Sequence, residues 1–159
     1  MKKRFYFGLL IMLSFSLMST TCSTDDDDGS PNDNSQQIAQ AVSTAQSGTW
    51  RITNFNDSGQ NETSDFNGYN FSFNSDGTLV ATNGSNTVNG TWSVTDDSSS
   101  SSSSSDDIDF NIFFPVPASN NFEDLNDDWD IVSISSTRIE LIDISGGNGG
   151  TDMLTFEKN

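Results

Sequence analysis

The chain has 159 residues, with 6 Lys or Arg against 23 Asp or Glu and no His. That length suits one domain with one core. A formal charge of −17 excludes nucleic acid and anionic lipid headgroups as partners, because phosphate binding needs basic residues. The lack of His removes Ser–His and Cys–His nucleophilic sites and the commonest zinc ligand.

Residues 1–21 read as a signal peptide. Lys2, Lys3 and Arg4 form its positive start, and Phe5 to Met18 is an apolar stretch too short to span a bilayer comfortably. Small residues Ser19 to Thr21 lead to Cys22, the single cysteine, which therefore has no partner for an intrachain disulfide. This resembles a bacterial lipoprotein signal, and the resemblance implies that Cys22 carries the lipid, palmitate included. Ordinary secretion with cleavage nearby is the other reading. Asp25, Asp26, Asp27 and Asp28 follow; four adjacent carboxylates repel one another and stay solvated. The run is similar to the acidic export signal of Bacteroidota-type surface lipoproteins, which implies anchoring in the outer membrane facing outwards; a plain acidic spacer is the alternative. Residues 22–33 are thus a lipidated Cys with an acidic tether.

Residues 34–159 form the domain. Asn34 to Gln46 predicts a helix, with Asn34 as cap, Gln37 as capping-box partner, and Ile38, Ala41, Val42 and Ala45 on one face. Gly48 suits its end. The first strand covers Thr49 to Phe55, with Trp50 and Ile52 on one face. A polar connection, Gly59 to Asp65, follows, with Phe66 a candidate plug. The second strand puts Tyr69, Phe71 and Phe73 on one face. Asp76-Gly77 and Asn83-Gly84 are hairpin turns around a third strand, Thr78 to Thr82. The fourth carries Val88, Trp92 and Val94, with Gly90 allowing a bend or close approach. Residues 96–107, Asp-Asp, a serine run and Asp-Asp, predict a disordered loop. The fifth strand turns Ile108, Phe110, Ile112 and Phe114 inward. Ala118 to Asp128 is a polar connection containing Phe122 and Leu125. Trp129 to Ile134, Arg138 to Ile144 and Asp152 to Lys158 complete the set, with Gly146 to Gly150 a flexible loop.

Eight short strands joined by short turns, with one helix, predict an all-β, antiparallel meander closed or nearly closed into a barrel. A β-sandwich would need longer crossings. The helix followed by Gly48-x-Trp50 opening the first strand resembles the lipocalin-like domains of small secreted bacterial lipoproteins. The resemblance implies that Trp50 packs across the closed barrel end, covered by a basic residue near the end of the last strand, here Lys158.

No catalytic residues are expected. Paired carboxylates remain conceivable at Asp109, Glu140 and Asp143, but these read as the solvated strand face or a strand end. The acidic stretch Asp124 to Asp130 gathers oxygen ligands suited to calcium, yet lacks EF-hand spacing and reads equally as a solvated loop. We therefore expect no enzyme, no cofactor and no metal site. Two function classes stay open. In one, a small apolar ligand lies among Trp50, Tyr69, Phe71, Phe73, Trp92, Phe110 and Trp129. In the other, rings fill the barrel and the protein is a structural or interaction module of the surface, with Phe113, Pro115, Val116 and Phe122 as an apolar patch. No protein partner can be named.

Overall fold

The computed structural model describes residues 33–96, 108–144 and 150–159. The signal peptide, Cys22, Asp25 to Asp28, nearly all of the Ser/Asp run and most of the Gly146 to Gly150 loop lie outside the described residues. Helix α1 (Asp33–Ala45) is followed by β1 (Thr49–Asp57), a two-residue β2 (Gln60–Asn61), β3 (Asn70–Phe73), β4 (Thr78–Thr82), β5 (Thr87–Asp96), β6 (Ile108–Phe113), β7 (Asp127–Ser135), β8 (Arg138–Ile144) and β9 (Thr151–Lys158). The strands form one antiparallel sheet in the order β2-β1-β3-β4-β5-β6-β7-β8-β9, and β1 also pairs with β9. Eight strands thus close into a barrel, with β2 as a stub on β1, and sequential pairing rules out the sandwich.

Alternation sets the inward faces. On β6, Ile108, Phe110 and Ile112 are buried, and Phe114 just beyond it is too. Two irregularities alter the expected registers. The β1–β9 pairing slips between Ile52 and Asn54, so Thr53 is an extra residue and Phe55 turns inward. The β7–β8 pairing slips between Ile131 and Ser133, leaving Val132 exposed. The turn after β3 needs Gly77, at φ 81°, and the Asp76 carboxylate accepts from the Thr78 amide at 3.0 Å and hydroxyl at 2.6 Å. That carboxyl is held below its ordinary range chiefly by the Thr78 hydroxyl.

One barrel end is sealed by α1. The helix packs on β5 and β7, and the Trp50 indole N–H donates to the Ala45 carbonyl at 2.8 Å. Only an element lying across the barrel's end reaches all three strands. Ala41 and Ala45 are buried and Val42 packs on the core, as the helical face predicts. The helix starts at Asp33, one residue before the expected cap, so Asn34 stands in its first turn. Lys158 Nζ lies 5.8 Å from the centre of the Trp50 ring and donates to Ser47 Oγ at 2.9 Å, the arrangement that the lipocalin resemblance implies. A Cβ on Gly48 would meet Lys158 Cε at 2.7 Å, so a side chain there would push Lys158 aside.

The opposite end is sealed by loops. The connection expected to be merely polar holds β2 and a 3-10 turn, Thr63–Phe66, whose Phe66 is buried as the expected plug. The long connection after β6 buries Phe122 and Leu125. Its ends are held by Asn126, which accepts from the Phe114 N–H at 2.6 Å and donates to the Phe114 carbonyl at 3.0 Å.

Candidate functional site

The residues expected to line a ligand cavity share the barrel interior, where they touch one another. Trp50, Phe71, Phe73, Trp92, Phe110 and Trp129 are buried, and Tyr69 is half-buried at the rim. Ring centroids lie 5.2 Å apart for Phe73–Trp92, 5.4 Å for Phe73–Phe110 and 5.3 Å for Phe71–Phe156, all in the edge-to-face geometry that aromatic quadrupoles favour. Phe55, Phe66 and Phe122, absent from the expected inward set, join them. Phe122 closes the rim, with its ring centroid 5.4 Å from Phe66, 5.0 Å from Tyr69 and 5.0 Å from Phe114. A large apolar residue inside a polar loop was the sequence signal for it.

The expected apolar patch does not form. Phe122 is buried and Val116 packs against the core, leaving Phe113, at 55% exposure, and Pro115 outside. The tight passage of this segment past β5 accounts for Gly90, where a Cβ would lie 2.7 Å from the Phe114 ring.

A groove of about 590 Å³ crosses the sealed rim. It runs between the β4–β5 turn, the 3-10 turn and the loop after β6, with Phe122 and Tyr69 at its base. A smaller depression of about 460 Å³ lies on the outer wall, where Val132, Ile142 and Met153 adjoin Arg138 and Glu140.

The candidate carboxylates are not brought together as a pair. Asp109 is on β6 and Glu140 on β8, with β7 between them. Glu140 accepts from the Ser133 hydroxyl and pairs with Arg138 at 2.7 Å; the Ser133 bond is the main reason its carboxyl is lowered. Asp143 instead meets Asp127 and Asp152, one carboxylate oxygen of each within 4.8 Å of the others. All three take the inward register at the ends of β7, β8 and β9, near the rim. The expected 124–130 oxygen cluster is therefore split: of that stretch, only Asp127 joins this group. Even with both oxygens of each bound, three carboxylates reach only the lower end of the six to eight oxygens that calcium takes. Burial, the Asp128 carboxyl and the Asp143 charge push Asp127 up to about 6, although it accepts from the Asp128 amide at 2.9 Å. Glu62 and Asp124 are also raised, by burial and then by neighbouring carboxylates.

A solved structure of a DUF4847 family protein from Bacteroides vulgatus ATCC 8482 is similar to this chain, at 21% identity, with a TM-score of 0.45, over 72% of this chain and 94% of that one. No family model matches the chain, and no curated protein does.

Proposed function

We propose that this chain is a lipid-anchored, non-catalytic protein of the outer-membrane surface whose barrel is a packed scaffold, bound from outside. Ring-on-ring contact through the interior carries the reading: a small apolar ligand would have to displace Phe122, which touches Phe66, Tyr69, Phe71 and Phe114. The lipid anchor rests on Lys2 to Arg4, Phe5 to Met18 and the single Cys22, and outward display on Asp25 to Asp28. The chain's own chemistry supports a role without catalysis, since it has no His and its candidate carboxylates stand apart.

Fractionation of cells producing the full chain tests the anchor. Cys22→Ala is expected to move the protein to the soluble fraction, and continued membrane association sinks the lipoprotein reading. Replacing Asp25 to Asp28 with Ala is expected to protect the protein from protease added to whole cells. For the scaffold, fatty acids and hydrophobic dyes are expected to leave Trp fluorescence unchanged; a saturable shift would restore the internal-ligand reading.

A further inference from the structure

We propose that the groove across the sealed rim is a binding site for neutral, polyhydroxylated ligands, the class of uncharged oligosaccharides. The inference rests on the reading of the barrel as a scaffold bound from outside, and it names where and by what chemistry. The groove's volume of about 590 Å³ falls within the roughly 300–1,000 Å³ of small-ligand sites.

Three loops supply the recognition groups. Asn121 Nδ2 donates to Asp65 Oδ2 at 2.7 Å, which fixes two planar groups against each other and leaves the Asn121 carbonyl as an acceptor. Asn120 Oδ1 accepts from the Phe122 amide at 3.0 Å, which orients that side chain and leaves its NH₂ as a donor. The Asn86 side chain and the Tyr69 hydroxyl make no hydrogen bond among the described residues. The Tyr69 ring is pinned edge-on to Phe122, with planes at 79°. The groove thus offers held donors and acceptors beside aromatic carbon. Sugars need that combination, because each hydroxyl both donates and accepts while the C–H faces pack on rings.

Other ligand classes fit worse. No Lys or Arg lines the groove, and Asp65 together with the chain's charge of −17 repels phosphate, sulfate and uronate groups. An apolar ligand would strip water from the amides without replacing their hydrogen bonds. A strongly basic peptide would find one carboxylate in the groove, already engaged by Asn121.

The test is titration of the detergent-solubilised, isotope-labelled full chain with maltohexaose, cellohexaose, mannohexaose and chitohexaose, followed by NMR. Oligogalacturonate and a hydrophobic naphthalene dye run in parallel. At least one neutral oligosaccharide is expected to shift the side-chain amides of Asn86, Asn120 and Asn121, and oligogalacturonate to shift none. Asn86→Ala removes a side chain that no internal bond needs, so the fold should persist while binding weakens about tenfold. Tyr69→Phe should weaken it without loss of the ring. Silence of the rim amides with every neutral oligosaccharide overturns the groove and leaves the scaffold standing. Undiminished binding by both variants also overturns it. A dye that shifts the Trp129 indole overturns the scaffold, and the groove with it, because Phe122 would have had to leave the rim.

Discussion

Two glycines show how one residue type answers different constraints. At Gly48 a methyl group would press on Lys158 Cε, the far end of a flexible side chain. Lys158 can move away, giving up its place over Trp50 and its bond to Ser47, so Gly48→Ala should cost about 1 kcal/mol or less. At Gly90 the methyl would meet the Phe113 carbonyl and the Phe114 ring, neither of which can yield. Gly90→Ala should therefore cost about 1–3 kcal/mol. Urea unfolding of the two variants checks the order, and equal losses would contradict it. Asp127 sets a pH dependence. Its carboxyl stands at about 6 when folded, against an ordinary 3.8. Below the lower value it is protonated in both the folded and unfolded chains and stability is unaffected. As pH rises between the two values, the unfolded chain loses the proton first and the folded state is penalised; above the higher value the penalty is constant. Asp127→Asn should accordingly raise the melting temperature near pH 7.5 and change it little near pH 4. An equal rise at both would show that charge is not the cause.

At the scale of elements, alternation was legible wherever a strand runs undisturbed. In the strand from Ile108, the residues Ile108, Phe110, Ile112 and Phe114 could be assigned to the inward face, and all four are buried. Phe55 could not, because the extra Thr53 in β1 shifts the period by one, and no local pattern announces a bulge. The rim loop was illegible for another reason: its order comes from tertiary bonds. The Asn126 side chain stands in for a strand partner by bonding both polar groups of the Phe114 backbone, and that pair sets Phe122 over the barrel. The groove shared this illegibility, since Asp65, Asn86 and Asn121 come from three separate loops. Asn126→Ala would leave the Phe114 N–H without an acceptor, while the Phe114 carbonyl keeps the Val116 amide at 2.8 Å, and should cost about 1–3 kcal/mol. It should also speed amide exchange across residues 116–125 more than in β8 and β9. Uniform acceleration would mean that the loop is not an independent unit.

For the whole molecule, charge and closure are both uneven. Arg51, Arg138 and Lys158, the only Lys or Arg among the described residues, gather at the helix-sealed end. There Arg51 and Arg138 share Glu157 at 3.3 and 3.7 Å. These pairs are exposed and contribute little. Closure depends on β1, which pairs with β9 from Trp50–Lys158 to Asn56–Met153 but with β3 only at Thr49–Ser72 and Trp50–Phe71. Past Trp50 its free edge is met by the following turn instead. The Phe55 amide donates to Thr63 Oγ1 at 2.8 Å, and the Phe55 carbonyl accepts from that hydroxyl at 3.3 Å and from the Glu62 amide at 3.0 Å. One hydroxyl therefore stands in for the missing strand pair, while the Phe66 ring packs edge-on to Phe55 behind it. Thr63→Val keeps the shape and removes the hydroxyl, leaving the Phe55 N–H without an acceptor. It should cost about 1–3 kcal/mol and raise exchange at the Phe55 amide while the β1–β9 amides keep their protection. If β1–β9 protection fell in step, the barrel would be opening as one cooperative unit, and the β1–β3 seam would not be its weak point.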